Sequence, residues 1–131
     1  YVVLYKGGTV SLEEFAKMKY ERDILVRIII KKDGRKAAYV SQRRSKTDFP
    51  LIAVAAAKKD EMWYLSVGAR PSKAALVVRP VQNGCELSEQ AKEAVSQFSF
   101  GSNLRGSADY RKSLAEIYVR RLMEALNGEE A

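Results

Sequence analysis

Nucleophilic and metal chemistry call for residue types that this chain scarcely has: its 131 residues include no histidine and a single cysteine, Cys85. The lack of histidine removes the commonest metal ligand, the Cys-His nucleophile pair and the Ser-His-Asp triad, and one cysteine excludes an internal disulfide. No pair of carboxylates stands out in a segment that also reads as a cleft, so an acid–base site made by this chain alone is not expected. Anion contacts remain. Lys and Arg number 23 against 16 Asp and Glu, a formal net charge of +7, which can attract nucleic acid, an acidic partner subunit or an anionic cofactor. The excess is spread out: Lys31, Lys32, Arg35 and Lys36 flank one turn, Arg43, Arg44 and Lys46 share a loop, and Lys58 and Lys59 precede another turn. Solvated turns that keep the chain soluble are the plainer reading of these clusters.

The most particular run is Phe100-Gly101-Ser102-Asn103-Leu104-Arg105-Gly106-Ser107-Ala108-Asp109-Tyr110-Arg111-Lys112-Ser113-Leu114-Ala115. Gly101 and Gly106 break the preceding structure, Ser107 can cap free N–H groups of a new helix, and Asp109 suits its positive first turn. A long terminal helix is therefore predicted from about Ser107.

The elements that must position these residues follow from hydropathy. The chain starts at Tyr1 and enters directly a strand-like Val2-Val3-Leu4, which reads as a piece of something longer. Ser11-Leu12-Glu13-Glu14 has capping-box spacing, predicting a short helix from Leu12 to about Met18. From Asp23 to Lys32, alternating β-branched residues predict a strand buried on one face and partly on the other; Asp33-Gly34 then predicts a tight hairpin returning over Lys36 to Gln42. Leu51 to Ala57 suits helix or strand by itself, but with Met62 to Val67 beyond Lys58-Lys59-Asp60-Glu61 it predicts a second hairpin, with room for one helical turn at Asp48 to Ile52 before it, and Ala74 to Arg79 an edge strand ended by Pro80. After Asn83-Gly84 the pattern becomes helical. Ser88 is the expected cap of a helix with Ala91, Ala94, Val95 and Phe98 on one face, and the final helix carries Leu114, Ile117, Tyr118, Leu122, Ala125 and Leu126 before a stop at Gly128, with fraying to Ala131.

Strands first and helices afterwards predict one α+β domain over residues 1–131: an antiparallel sheet of three to five strands with a helical layer on one face. Such a length can bury roughly two-thirds of its unfolded surface in a single core. No run of about 18 apolar residues and no signal-peptide pattern occurs, so a cytoplasmic protein without a membrane span is expected.

Several segments resemble, in order and spacing over about residues 9–126, the FAD-binding subunit of molybdenum hydroxylases, the xanthine and carbon monoxide dehydrogenase family. The run from Arg105 to Ala115 resembles the family's "R-G-S-x-[DE]-Y-R-x-x-L-A" near the subunit's C-terminus. Ser11-Leu12-Glu13-Glu14-Phe15 is similar to an "L-x-E-F-F" element, and Glu21-Arg22-Asp23-Ile24-Leu25-Val26-Arg27-Ile28 to a "G-E-[IL]-[IL]-x-x-I" strand. Tyr39 to Phe49 resembles "[FY]-x-K-x-x-R-R-x-x-D-[IF]", and Gly68-Ala69-Arg70-Pro71 a glycine-rich turn before an Arg-Pro pair.

The resemblance implies the small C-terminal domain of that subunit, packed against larger domains that hold FAD. The glycine-rich loops that bind the FAD pyrophosphate lie upstream in the family, and this chain has no equivalent, so alone it is expected to bind FAD poorly. It would form one wall of the flavin site. Leu25 falls where a family leucine approaches the isoalloxazine ring, with ordinary packing as the competing reading, and Ser41 replaces a family lysine, which removes a cation from that place. The loop from Gln42 to Asp48 corresponds to a segment near the flavin, making Arg43, Arg44 and Asp48 the further candidate contacts. Tyr110 and Arg111 are expected to be structural, the ring buried with its hydroxyl bonded and the guanidinium paired with a carboxylate or a helix C-terminus. Implied partners are the upstream FAD domain, subunits carrying 2Fe-2S clusters and molybdopterin, and NAD or another acceptor. The alternative is a basic α+β module binding RNA or DNA through its sheet and the Arg43/Arg44/Lys46 loop; no Gly-aromatic motif, Gly-x-x-Gly clamp or helix-turn-helix pattern accompanies it.

Overall fold

Alternating burial along two neighbouring strands organises the larger part of the molecule. In β5 (Ile52–Lys59) Ile52, Val54 and Ala56 are buried, and in β6 (Met62–Gly68) Trp63, Leu65 and Val67 are, so the period of two of a half-buried sheet holds through both. The computed structural model describes residues 1–19 and 22–128; Glu21 of the expected strand segment and the expected frayed tail from 129 onward lie outside the described residues. The chain divides into two compact units, Tyr1–Gly34 and Arg35–Ala131.

In the second unit β5 and β6 lie at the centre of a four-stranded antiparallel meander, flanked by β4 (Lys36–Gln42) and β7 (Ala75–Pro80). The inner face is covered by α2 (Leu87–Ser96) and α3 (Ala108–Gly128), which gives the expected α+β class with helices on one side of an antiparallel sheet. Ala91, Ala94, Val95 and Phe98 of and after α2 are buried as their spacing predicts. Besides Arg111, the buried residues of α3 are Ala115, Val119, Leu122, Met123 and Leu126. Of the predicted face, Leu122 and Leu126 are buried and Leu114 and Tyr118 pack partly buried against the core, while Ile117, 39% exposed, and Ala125 turn outward. The face extends further than predicted toward the small Ala115 and Val119, one and two turns beyond the buried Arg111. Nor does Ser88 cap α2; the N-cap is Glu86, without a side-chain capping bond.

The β5–β6 connection is a two-residue turn in which Asp60 and Glu61 both have positive φ, 51° and 56°. That is the backbone of a type I′ turn, whose twist matches that of the strands it joins. The predicted second hairpin is therefore present.

The first unit is a three-stranded antiparallel sheet in the order β2 (Gly8–Val10), β1 (Val2–Leu4), β3 (Leu25–Ile28), with α1 (Leu12–Lys17) between β2 and β3. The capping box forms: Ser11 Oγ accepts from the Glu14 N–H at 3.1 Å and a Glu14 carboxylate oxygen accepts from the Ser11 N–H at 3.2 Å. Asp23 accepts from the N–H groups of Lys6, Gly7 and Ile24, tying the β1–β2 turn to the entrance of β3, and these bonds hold its carboxyl below the usual range.

Two expectations fail here. The hairpin at Asp33-Gly34 does not form, since β3 pairs with β1 and β4 with β5, in different sheets. Gly34 does take the positive φ, 77°, but the strand-forming pattern on both sides marked two strands without marking their partners. And β3 is exposed throughout, with Ile24, Leu25, Val26, Ile28 and Ile30 between 46% and 84% accessible.

Because L-residues other than asparagine and aspartate adopt positive φ at a cost, Glu61→Gly, which leaves the favoured Asp-Gly pair, is expected to stabilise the chain by about 0.5–1 kcal/mol. Urea unfolding checks this through a raised midpoint at unchanged slope.

Candidate functional site

The start of α3 is built by short-range polar bonds. Ser107 Oγ accepts from the Tyr110 N–H at 3.2 Å, and Ser102 Oγ from the Ala108 N–H at 2.9 Å, so the predicted cap is present. Just before it, Asn103 and Gly106 pair across a tight turn, with Asn103 N–H bonded to Gly106 O at 3.1 Å and the reverse at 3.2 Å.

One turn into α3, Arg111 is 1% exposed. Its Nε–H donates to Leu51 O at 2.9 Å, Nη1 to the carbonyls of Gly101 (2.8 Å) and Gly106, and Nη2 to Asn103 Oδ1 at 2.6 Å. A guanidinium has five N–H donors in a fixed plane. Here that plane gathers the entrance of β5 and both glycines of the preceding loop. The expected carboxylate or helix C-terminus is replaced by three backbone carbonyls and an amide, which keep neutral dipoles around the buried charge. Tyr110 also departs from expectation: it is 48% exposed.

The loop between β4 and β5 docks on the same corner. Arg105 Nη1 lies 2.6 Å from Asp48 Oδ1, and its guanidinium stacks 5.6 Å from the Phe49 ring centroid. Arg44 Nη2 donates to Arg105 O at 3.0 Å; Arg43 donates through Nε to Ser41 Oγ and through Nη1 to Asp48 O, each at 3.3 Å. Tyr118 Oη donates to Gln42 Oε1 at 2.6 Å, fixing the end of β4 to α3. The Arg70-Pro71 turn completes the corner: Gly101 N–H donates to Arg70 O at 2.6 Å, and Arg70 Nη1 to Ser99 O and Oγ at 2.8 and 2.7 Å. A Cβ on Gly101 would stand 2.9 Å from Pro71 Cδ, so this approach needs glycine.

Of the candidate residues, Ser41, Arg43, Arg44 and Asp48 therefore come together, with Arg43 bridging two of them. Leu25 belongs to the first unit, where it is 46% exposed on β3. Lys46 is exposed on the loop. Sequence reasoning passed over Arg105 and Asn103, although both lie in the run that it singled out; a polar residue flanked by helix-breaking glycines was the available signal. The Asp48 carboxyl is held below its usual range first by the Arg105 hydrogen bond and then by the Phe49 N–H.

The corner holds no nucleophile with an adjacent base. Cys85 lies before α2, where burial and then the Glu89 carboxylate raise its thiol pKa, the reverse of an activated thiolate. Among the described residues no group of three His, Cys, Asp or Glu side chains could hold a metal, and no helix is long and apolar enough to cross a membrane. Nor do they fit the phosphates of a dinucleotide. The N-terminus of α3 is occupied by Ser102, Ser107 and Asp109, that of α2 carries Glu86 and Glu89, and the positive-φ glycines Gly8, Gly34 and Gly84 stand apart in sequence.

Fold and corner together define an α+β chain whose antiparallel meander is covered on one face by two helices, with the arginines of the corner tying its loops to one another and, through Arg111, to α3. The same fold occurs in two solved oxidoreductases. A chain of quinoline 2-oxidoreductase from Pseudomonas putida 86 is similar with a TM-score of 0.75 and 24% identity, over 98% of this chain and 52% of that one. A chain of the carbon monoxide dehydrogenase from Hydrogenophaga pseudoflava, in a form lacking the Mo-pyranopterin moiety of its molybdenum cofactor, is similar with a TM-score of 0.62 and 18% identity, over 81% of this chain and 42% of that one. This chain thus spans about half the length of the solved chains that it matches. No protein-family model and no curated protein matches the sequence.

Two outcomes test the corner. Arg111→Met leaves the carbonyls of Leu51, Gly101 and Gly106 without their donor and is expected to cost about 3 kcal/mol or more, with Arg111→Lys recovering part of it; urea unfolding measures both. Asp48, whose folded pKa is depressed, contributes stability that is present above its unfolded pKa of about 3.9 and is lost as pH falls through the lower folded value. The melting temperature of Asp48→Asn, followed between pH 6 and pH 2, should fall less steeply with acid than that of the unsubstituted chain.

Proposed function

We propose that this chain is the C-terminal part of an FAD-binding subunit of a molybdenum hydroxylase complex, where it shapes one wall of the flavin site and the contacts between subunits. One observation carries the reading: three of the five segments that resemble that family's motifs, 39–49, 68–71 and 105–115, are distant in sequence yet meet, directly or through the 99–103 stretch before α3, at the Arg105–Asp48 and Arg111 corner. Motif residues that hold each other in place are unlike chance matches, which have no reason to meet. The likeness of fold to chains of two oxidoreductases, each about twice as long, supports it further.

In this reading FAD is held chiefly by upstream domains, because the described residues lack a phosphate cradle. Exposed apolar side chains are the surface such domains would cover: Ile24, Leu25, Val26 and Ile28 in the first unit, and Tyr39, Leu76 and Val78 on the outer face of the meander in the second. Leu25 supplies an apolar contact that keeps water from the flavin, and Ser41, neutral and tied to Arg43, leaves the tuning of its charge to the neighbouring arginines. Electrons reach the flavin from 2Fe-2S clusters on another subunit and leave to NAD or another acceptor; the substrate is oxidised elsewhere in the complex, in the cytoplasm.

Flavin titration followed by absorbance and gel filtration tests this. The 131-residue chain should retain no stoichiometric FAD, whereas the chain extended through its upstream coding sequence should retain one FAD per chain and lose affinity in Leu25→Asp. Tight stoichiometric binding by the 131 residues alone, or none by the extended subunit, would sink the proposal.

A further inference from the structure

The Arg105–Asp48 corner leaves a strip of apolar side chains facing solvent. Leu104 and Arg105 form the tip of the tight turn closed by Asn103 and Gly106, and Leu104 is fully exposed. Phe49, 76% exposed, lies against the Arg105 guanidinium, and the ring of Tyr110 reaches to 3.6 Å from where a Cβ on Gly106 would stand. Around this strip the charges do not cancel. The β4–β5 loop and the turn carry Arg43, Arg44, Lys46 and Arg105 against Asp48, which is tied to Arg105. Arg43 and Arg44 donate to a hydroxyl and two backbone carbonyls, acceptors that orient a guanidinium without neutralising it. Asp109 and Lys112, both exposed at the start of α3, offset each other.

Arginine, phenylalanine and tyrosine are the side chains that protein interfaces favour, and a surface held in its bound shape loses little entropy when a partner arrives. Here both conditions meet, because Arg111 bonds Asn103 and Gly106 and so holds the turn that presents Leu104. We infer that this strip docks an acidic protein face, an apolar pocket that receives Leu104 and Phe49 within a rim of carboxylates that meets Arg43, Arg44 and Lys46. The inference rests on the complex proposed above, in which that face belongs to a neighbouring subunit. Complementary charge selects the partner, and the apolar tip excludes simpler ones. A nucleic-acid backbone would engage the cations and leave Leu104 without a contact. A small anion needs donors that converge on it, whereas the Arg43 and Arg44 forks are directed at oxygens of the corner itself.

The test uses the subunits that co-purify with the extended chain, separated and bound again to it on a surface plasmon resonance chip, with FAD read independently by absorbance. Leu104→Asp, at a fully exposed position, should raise the dissociation constant about tenfold or more and leave the FAD content unchanged. Lys46→Glu should slow association at about 50 mM salt and flatten its fall toward about 300 mM. The inference is overturned if Leu104→Asp binds as the unsubstituted chain does, if it loses FAD along with the partner, if association ignores salt, or if the extended chain keeps FAD and no subunit accompanies it. Leu104-dependent binding of the 131-residue chain to phosphatidylserine vesicles or to single-stranded DNA would also overturn it, by making the strip a lipid or nucleic-acid surface. Should the extended chain hold no FAD while Leu104→Asp still releases the subunit, the flavin reading fails and the docking surface stands.

Discussion

A single buried guanidinium sets the geometry on which the second unit depends. Arg111 places a cation at the positive end of α3, in the core and without a carboxylate, an arrangement that costs free energy unless every acceptor around it is aimed correctly. The carbonyls of Leu51, Gly101 and Gly106 are so aimed, along with the Asn103 amide oxygen. Satisfying one side chain therefore fixes three stretches of backbone at once. The turn from Gly101 to Gly106 cannot shift without orphaning a charge, and β5 cannot slide without losing the Leu51 acceptor.

The rest of the corner follows in layers. With the turn fixed, Arg105 is held where it meets Asp48 and Phe49, and its carbonyl receives Arg44. These outer bonds are partly exposed, so each is worth little alone; a hydrogen-bonded charge network on a rigid base is where such pairs contribute most. The Gly101 backbone in turn receives the Arg70-Pro71 turn at a distance that no side chain would permit. The result is an interior anchor with more exposed cations arranged around it, Arg43 and Arg44 among them.

Much of this was legible in the sequence where local rules decide the outcome. The capping box at Ser11, the turn at Asp60-Glu61, the Ser107 cap and the apolar face of α2 each depend on residues within a few positions of one another, and each is present. What failed depended on partners. Asp33-Gly34 looks like a hairpin turn, but which strand β3 joins is settled by β1, about twenty residues earlier. In α3 the spacing found Leu122 and Leu126 but missed Ala115 and Val119, because apolar spacing alone cannot anticipate that an arginine will be buried in the first turn and that the small residues one and two turns beyond it will share its face. Tyr110 and Arg111, adjacent in the most particular run, were expected to share an interior role; a helix separates neighbours by about 100°, and only the arginine faces the core. Among the candidate site residues, Ser41, Arg43, Arg44 and Asp48 did assemble, whereas their organiser, Arg105, gave no signal beyond its place between an asparagine and a glycine.

The claim that Arg111 anchors the fold has a direct measure in the native protein, the hydrogen exchange of its Nε–H followed by NMR. If that proton is locked onto Leu51 O inside the core, it exchanges only through global unfolding, at the same protection as the amides of β5 and β6. Exchange at the rate of a solvent-exposed arginine, with β5 and β6 still protected, would contradict the account.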